Sequence, residues 1–274
     1  MNSPVLVTGG TGTIGSRVVS MLRQAGSDVR VLSRHPRANE PGIQHVEGDT
    51  LAGRGLTEAL GGIEVVVHLA GAPKGDDVAT KNVAAASKTA NVRHLILISV
   101  IGADRMPIGY FRAKAGAERA LAESGVPWSV LRAAQLHEFM LPIVRGLTKL
   151  PLLLLPGGLR FEPVNVDEVA ARLTELALGS PAGRVADAAG PDVLDIRQLA
   201  SAYVGAMGRR RRPGLPVRIP GAVGRAYRAG DNLAGEFVKR GERGWAEFLT
   251  ELQLKSADRT NERGDDRTSA GSAR

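Results

Sequence analysis

Short runs of β-branched and aliphatic residues alternate with Ala-rich segments of helical period through the first half of the chain. This pattern predicts strands near 4–8, 28–32, 43–47, 64–70, 93–99 and 127–132, and helices near 13–25, 55–61, 76–90 and 110–124. Val65–Val67 and Leu95–Ile98 are continuously apolar, as expected of parallel strands covered on both faces. Strand-helix alternation with short connections implies an α/β, doubly wound, Rossmann-like parallel sheet. After about residue 135 the rhythm breaks, proline and glycine become frequent, and only two further helical patterns stand out, at 167–178 and 195–207. The expected organisation is a core over 1–135 and a smaller lobe over 136–254, interleaved with the core above the carboxyl edge of the sheet. Residues 255–274 are charged and nearly free of apolar side chains, the composition of a disordered tail.

Composition narrows the chemistry. The 274 residues include no cysteine, which removes disulfides, thiolate catalysis and thiolate metal sites. The five histidines show no ligand spacing, so no metal site is expected. The N-terminus runs at once into the first strand without a basic or long apolar leader, and the greasiest run, Leu150–Leu155, is too short for a bilayer. A cytoplasmic protein without membrane association is expected, as monomer or homodimer. The net charge of +8 raises nucleic-acid binding as a possibility. Its dense cluster, Arg209–Arg212, follows an amphipathic stretch and carries no stacking aromatics, so it reads as a solvated helix end and no specific nucleic-acid partner is expected.

Two motifs carry chemistry. The stretch TGGTGTIG at 8–15 joins the first strand to the first helix. There Gly9 permits the turn, Gly12 allows a pyrophosphate to approach the backbone, and Gly15 lets helix pack on strand. The N–H groups of Thr13 and Ile14 open the helix, where its dipole favours phosphate. Residues 1–135 are accordingly read as an NAD(P)-binding core. Further on, Tyr110 and Lys114 lie one helical turn apart on a common face. A free phenol is a poor proton donor or acceptor near neutrality, and a cation beside it favours ionisation. The same pair would also suit the first turn of an ordinary surface helix.

With the loop at 8–15, the Tyr110–Lys114 pair resembles the short-chain dehydrogenase/reductase superfamily, in particular its extended and atypical branches and the NmrA-like NAD(P)H-binding proteins. Supporting pieces stand in family order over about residues 4–220: Gly48-Asp49, Leu69-Ala70-Gly71-Ala72, Ile98-Ser99 and the segment 164–169. The resemblance implies that Asp49 lies near the adenine and that Ala70 and Gly71 line the cofactor. It also implies that Lys114 holds the nicotinamide ribose and that Ser99 orients a substrate carbonyl against Tyr110. Two departures stand out: Val100 follows Ser99 where the family often has a second serine, and the gap to Tyr110 is short.

The end of the second strand decides the dinucleotide. An acid there would bind the ribose hydroxyls of NAD, but the chain has Ser33, Arg34 and, a little later, Arg37, which suit a 2′-phosphate. NADP is therefore expected, with NAD less favoured. His137 beside Gln135, Phe139 and Met140 falls in the expected substrate region without a catalytic role, and Asp167 and Glu168 read as capping residues at a helix start. The sequence thus predicts an NADPH-dependent reductase of a small, fairly apolar carbonyl, quinone or enone. Its rivals are a nucleotide-sugar epimerase or dehydratase and a non-catalytic NADP-binding regulator of the NmrA type.

Overall fold

The computed structural model describes residues 4–71, 74–149, 153–209 and 213–254. Its centre is a nine-stranded parallel sheet whose path runs β3 (Ile43–Glu47), β2 (Val29–Ser33), β1 (Val5–Thr8), β4 (Val65–His68), β5 (His94–Val100), β6 (Trp128–Ala133), β10 (Asp187–Ala189) and β13 (Val238–Arg240). The ninth strand, β9 (Gly183–Arg184), pairs with β6 off this path. This is the doubly wound order expected for βαβ units, with its reversal between β1 and β4.

Alternation along the strands sends successive side chains to opposite layers. Val5, Val7, Ile96 and Ile98 pack with Val18 and Leu22 of α1 (Thr13–Gln24) and Val169 and Leu173 of α6 (Val166–Leu178). Leu6, Val66, Leu95 and Leu97 meet α2 (Leu56–Leu60), α3 (Asp76–Thr89) and α4 (Gly109–Ala122) through Leu56, Leu60, Val83 and Leu121. Each fully buried aliphatic side chain contributes about 1.5–3 kcal/mol, so this burial, more than helix propensity, seats the helices.

Beyond β6 the chain builds a second small core. Met140 and Val144 of α5 (His137–Leu147), Leu155 of β7 (Leu153–Pro156) and Phe161 of β8 (Arg160–Phe161) pack with Leu199 and Tyr203 of α7 (Ile196–Ala206), and with Trp245 and Leu249 of a helical segment at 245–254. Two short pairs complete this region: β11 (Leu194–Asp195) with β8, and β12 (Gly214–Val217) with β7. α8 (Gly221–Ala229) supplies Ala226 to a satellite cluster with Met106 and Phe111.

Several expectations change. α6 belongs to the sheet's own helical layer beside α1, and an Arg17–Asp167 ion pair of 2.7 Å ties the two. Its N-cap is Asn165, whose side chain accepts from the Asp167 and Glu168 amides. The two acids are thus capped rather than capping: Asp167 serves Arg17, and Glu168 accepts from the amides of Glu242 and Arg243. The fourth strand stops at His68, because residues 69–71 leave the sheet to form a wall described below. Arg209 lies over the Tyr203 ring at 6.0 Å, while Arg210–Arg212 and residues 255–274 lie outside the described residues.

Candidate active site

Four segments meet at the carboxyl edge of the sheet where β1 and β4 diverge, the topological switch at which such folds bind ligands. They enclose a cleft of about 470 Å³, walled by Gly9, Thr11 and Gly12 from the first loop, Leu32, Ser33 and Arg34 from the end of β2, Asp49, and Leu69 to Gly71 with Lys74 to Asp76 from the loop into α3. His35 joins this wall, whereas Arg37 is exposed and is not part of it.

The first loop fits a dinucleotide phosphate. Gly9 turns with φ +69° and lies so close to the 69–70 backbone that an added Cβ would sit 2.7 Å from the Ala70 nitrogen. A Cβ on Gly15 would fall 2.1 Å from the Gly9 carbonyl oxygen, which only glycine avoids. Gly12 lines the cleft and is the N-cap of α1, whose start no side chain caps, the kind of helix N-terminus that suits an anion. Asp49 is occupied locally: its carboxylate accepts from the amides of Leu51 (2.8 Å) and Ala52 (3.1 Å). Those amides, the Ala52 amide foremost, hold it below the usual carboxylate range, with Arg34 and Arg54 assisting.

Deeper in the molecule lies a polar cluster that joins α3, α4 and β5. Lys114 on α4 is buried and pairs with Asp76 at the start of α3, Nζ to Oδ2 2.9 Å, and donates to the Ile98 carbonyl at 3.3 Å. Tyr110 begins the same helix, is 39% exposed and meets Phe111 edge-on. Partial burial, and then the negative charge of Asp76, push its phenol above the ordinary value of 10. The depression expected from Lys114 does not appear in the resting site, where Asp76 is the charged group that acts on the phenol. Ser99, near the end of β5, is buried, and its Oγ has no hydrogen-bond partner among the described residues. The structure therefore brings Tyr110, Lys114 and the cleft wall together through Asp76, and places Ser99 in the same strand end as an enclosed, unsatisfied hydroxyl.

Sequence reasoning missed Asp76 and His68. Asp76 sits in a helical first turn, where acids are common for dipole reasons alone. His68 is paired in register with Thr8, whose Oγ1 lies 2.7 Å from Nδ1 while accepting from the Ala70 amide at 3.2 Å. The Thr8 hydroxyl thus links the His68 ring to the backbone of the loop that leaves β4. His137 is buried beside Trp245 and Phe248, and its Nε2 donates to the Pro163 carbonyl at 3.1 Å. It braces the helical segment at 245–254 and takes no part in the cleft wall.

Burial lowers both histidines to about 4. Between about 6.5 and 4 the unfolded chain binds these protons and the folded one does not, so stability is full above 6.5 and is lost as pH falls. Each histidine removes about 1.4 kcal/mol per pH unit across that window. Urea denaturation at pH 7.5, 6 and 5 should show this decline, shallower in His137→Gln. A midpoint unchanged over that range would contradict it.

Comparison with known proteins agrees with this geometry. A family model described as NAD(P)H-binding matches residues 9–142. By sequence the chain is 29% identical over 215 residues to a (4-alkanoyl-5-oxo-2,5-dihydrofuran-3-yl)methyl phosphate reductase of Streptomyces griseus, covering 76% of this chain and 75% of that one. It is also 29% identical over 215 residues to an NAD(P)H azoreductase of Xenophilus azovorans, covering 75% and 74%. The fold is shared with a nucleoside-diphosphate-sugar epimerase from Staphylococcus aureus (TM-score 0.75, 18% identity, 90% of this chain and 99% of that one). It is shared as well with an NADPH-dependent quinone oxidoreductase from Escherichia coli (TM-score 0.71, 20% identity, again 90% and 99%). Among the described residues no helix is long and apolar enough to cross a membrane. The chain is an NAD(P)-dependent oxidoreductase whose residues 9–142 match the NAD(P)H-binding family, and it shares its fold with a quinone oxidoreductase and a nucleotide-sugar epimerase.

Proposed function

We propose that the protein reduces a small, fairly apolar carbonyl, quinone or enone, with NADPH as the preferred donor. The observation that carries this reading is the placement of Tyr110 and Lys114 against Asp76, a wall residue of the cleft that begins at the phosphate loop. Its relatives by sequence, named as reductases, support the same direction of chemistry.

When bound, the reduced nicotinamide supplies the hydride. The chain supplies the proton and the alignment. As negative charge develops on the substrate oxygen, the Tyr110 O–H bond breaks and its proton passes to that oxygen. Lys114, about one helical turn along α4 and paired with Asp76, would offset part of the negative charge of the phenolate left behind. Water then returns the proton to Tyr110. The Ser99 hydroxyl, unsatisfied within the protein, would donate to the substrate oxygen and orient it. Residues 136–254, with their separate core around Met140, Leu199 and Trp245, would form the substrate lobe.

The preference for NADPH rests on Ser33 and Arg34, which both line the cleft where an acid would select NAD. Arg34→Ala is expected to weaken NADPH about tenfold or more, the cost of a charge-assisted hydrogen bond of about 1.5–3 kcal/mol, and to leave NADH nearly unaffected. Fluorescence titration of both cofactors decides this. Equal weakening, or a wild-type preference for NADH, would remove the assignment. The epimerase alternative predicts interconversion of nucleotide sugars with no net consumption of cofactor.

A further inference from the structure

We propose that Asp76 is a positioning residue of the proton-donor site: from the cleft wall its carboxylate holds Lys114 as an ion pair and opposes negative charge on the Tyr110 oxygen, which fits the site to give a proton rather than to take one. The inference rests on the reading of Tyr110 as the proton donor and adds a residue to it.

The geometry comes first. Asp76 and Lys114 are both nearly withdrawn from water, with side chains 4% and 8% exposed, and their charged atoms are 2.9 Å apart. At this depth an ion pair is not the weak surface contact worth a fraction of a kcal/mol, because little water screens it. Lys114 is also held by the Ile98 carbonyl, so its ammonium is anchored on the side of β5. Of the two partners, only the carboxylate contributes to the wall of the cleft. Gly71 runs past the pair, and a Cβ built there would be 3.4 Å from both the Asp76 Oδ2 and the Lys114 Nζ. The loop that leaves β4 thus crosses directly over the ion pair.

Charge follows from this placement. The elements beside Tyr110 carry Asp76 and Asp77 at the start of α3, Arg112 and Lys114 on its own helix, and His68 at the end of β4. His68 is neutral at working pH, since burial foremost, and then Lys114, lowers it to about 4. Asp77 lies against Gly116 on the facing turn of α4. Within this set, the charge that reaches the phenol is that of Asp76. A tyrosine paired with an unopposed lysine would ionise easily and serve as a base for alcohol oxidation. With Asp76 present, the resting state is the phenol, the form that a reductase needs before hydride transfer. The proton leaves only when the substrate oxygen becomes a stronger base than the phenolate, and water restores it afterwards.

Direct ultraviolet titration of tyrosinate tests the coupling without any substrate. The chain has three tyrosines, so the Tyr110 signal is isolated by subtracting a Tyr110→Phe partner from each protein. Asp76→Asn removes the charge and keeps an oxygen for Lys114. Asp76→Ser does the same with a smaller side chain, should the amide not be accommodated. In either variant Tyr110 should ionise at a pH lower by about one unit or more than in the wild type, and the alkaline limb of the turnover profile should move down with it. A Tyr110 titration that is the same with and without the Asp76 carboxylate overturns the proposal, whatever Tyr110→Phe does to turnover. A shifted titration supports the coupling even if Tyr110→Phe keeps its rate, an outcome that would overturn the proton-donor reading instead.

Discussion

Tyr110→Phe is expected to lower turnover by about 10²–10⁴-fold while NADPH binding stays nearly constant, because general acid assistance is typically of that size. The change removes one oxygen and preserves the ring, including its edge-on contact with Phe111 at 5.5 Å between centroids. Tyr110 does not line the cleft that the phosphate loop and Arg34 wall, so the loss should appear in kcat rather than in cofactor affinity. Steady-state rates and a fluorescence titration on one preparation separate the two. A Tyr110→Phe protein working at wild-type speed would mean that water or the substrate itself supplies the proton.

The second large effect concerns stability. Lys114→Met leaves the Asp76 carboxylate enclosed without its cation, which should cost about 3–5 kcal/mol of folding free energy. Adding Asp76→Asn should restore most of that loss, because the uncompensated charge, not the missing methylenes, carries the cost. Urea denaturation of the two single variants and the double variant measures the coupling. Additive losses would show that the pair contributes packing alone.

Much of the scaffold was legible because its signals are local. Val5–Thr8, Val65–His68 and His94–Val100 announce covered parallel strands by unbroken aliphatic runs, and the spacing of Gly9, Gly12 and Gly15 announces a turn that only small residues can make. The second half was harder to read. Pro142 lies inside α5 and glycines punctuate α8, so their helical period is hidden by residues of low intrinsic propensity, which tertiary packing overrides. At the site, Tyr110 and Lys114 stood out because they share one helix. Asp76 did not, since it comes from another helix and only the packing of α3 on α4 brings its carboxylate to the lysine. The cap of α6 shows the same limit: Asp167 and Glu168 look like capping acids, yet Asn165 just before them does that work.

The most direct test follows NADPH absorbance while wild-type protein is offered small quinones, enones, aldehydes and azo compounds, with nucleotide sugars alongside. Hydride transfer to a small unsaturated acceptor predicts stoichiometric loss of NADPH with at least one of the first four groups, abolished in Gly15→Val, whose Cβ would collide with the Gly9 carbonyl. NADPH that binds tightly yet is consumed with none of them, while a nucleotide sugar is interconverted, would contradict it.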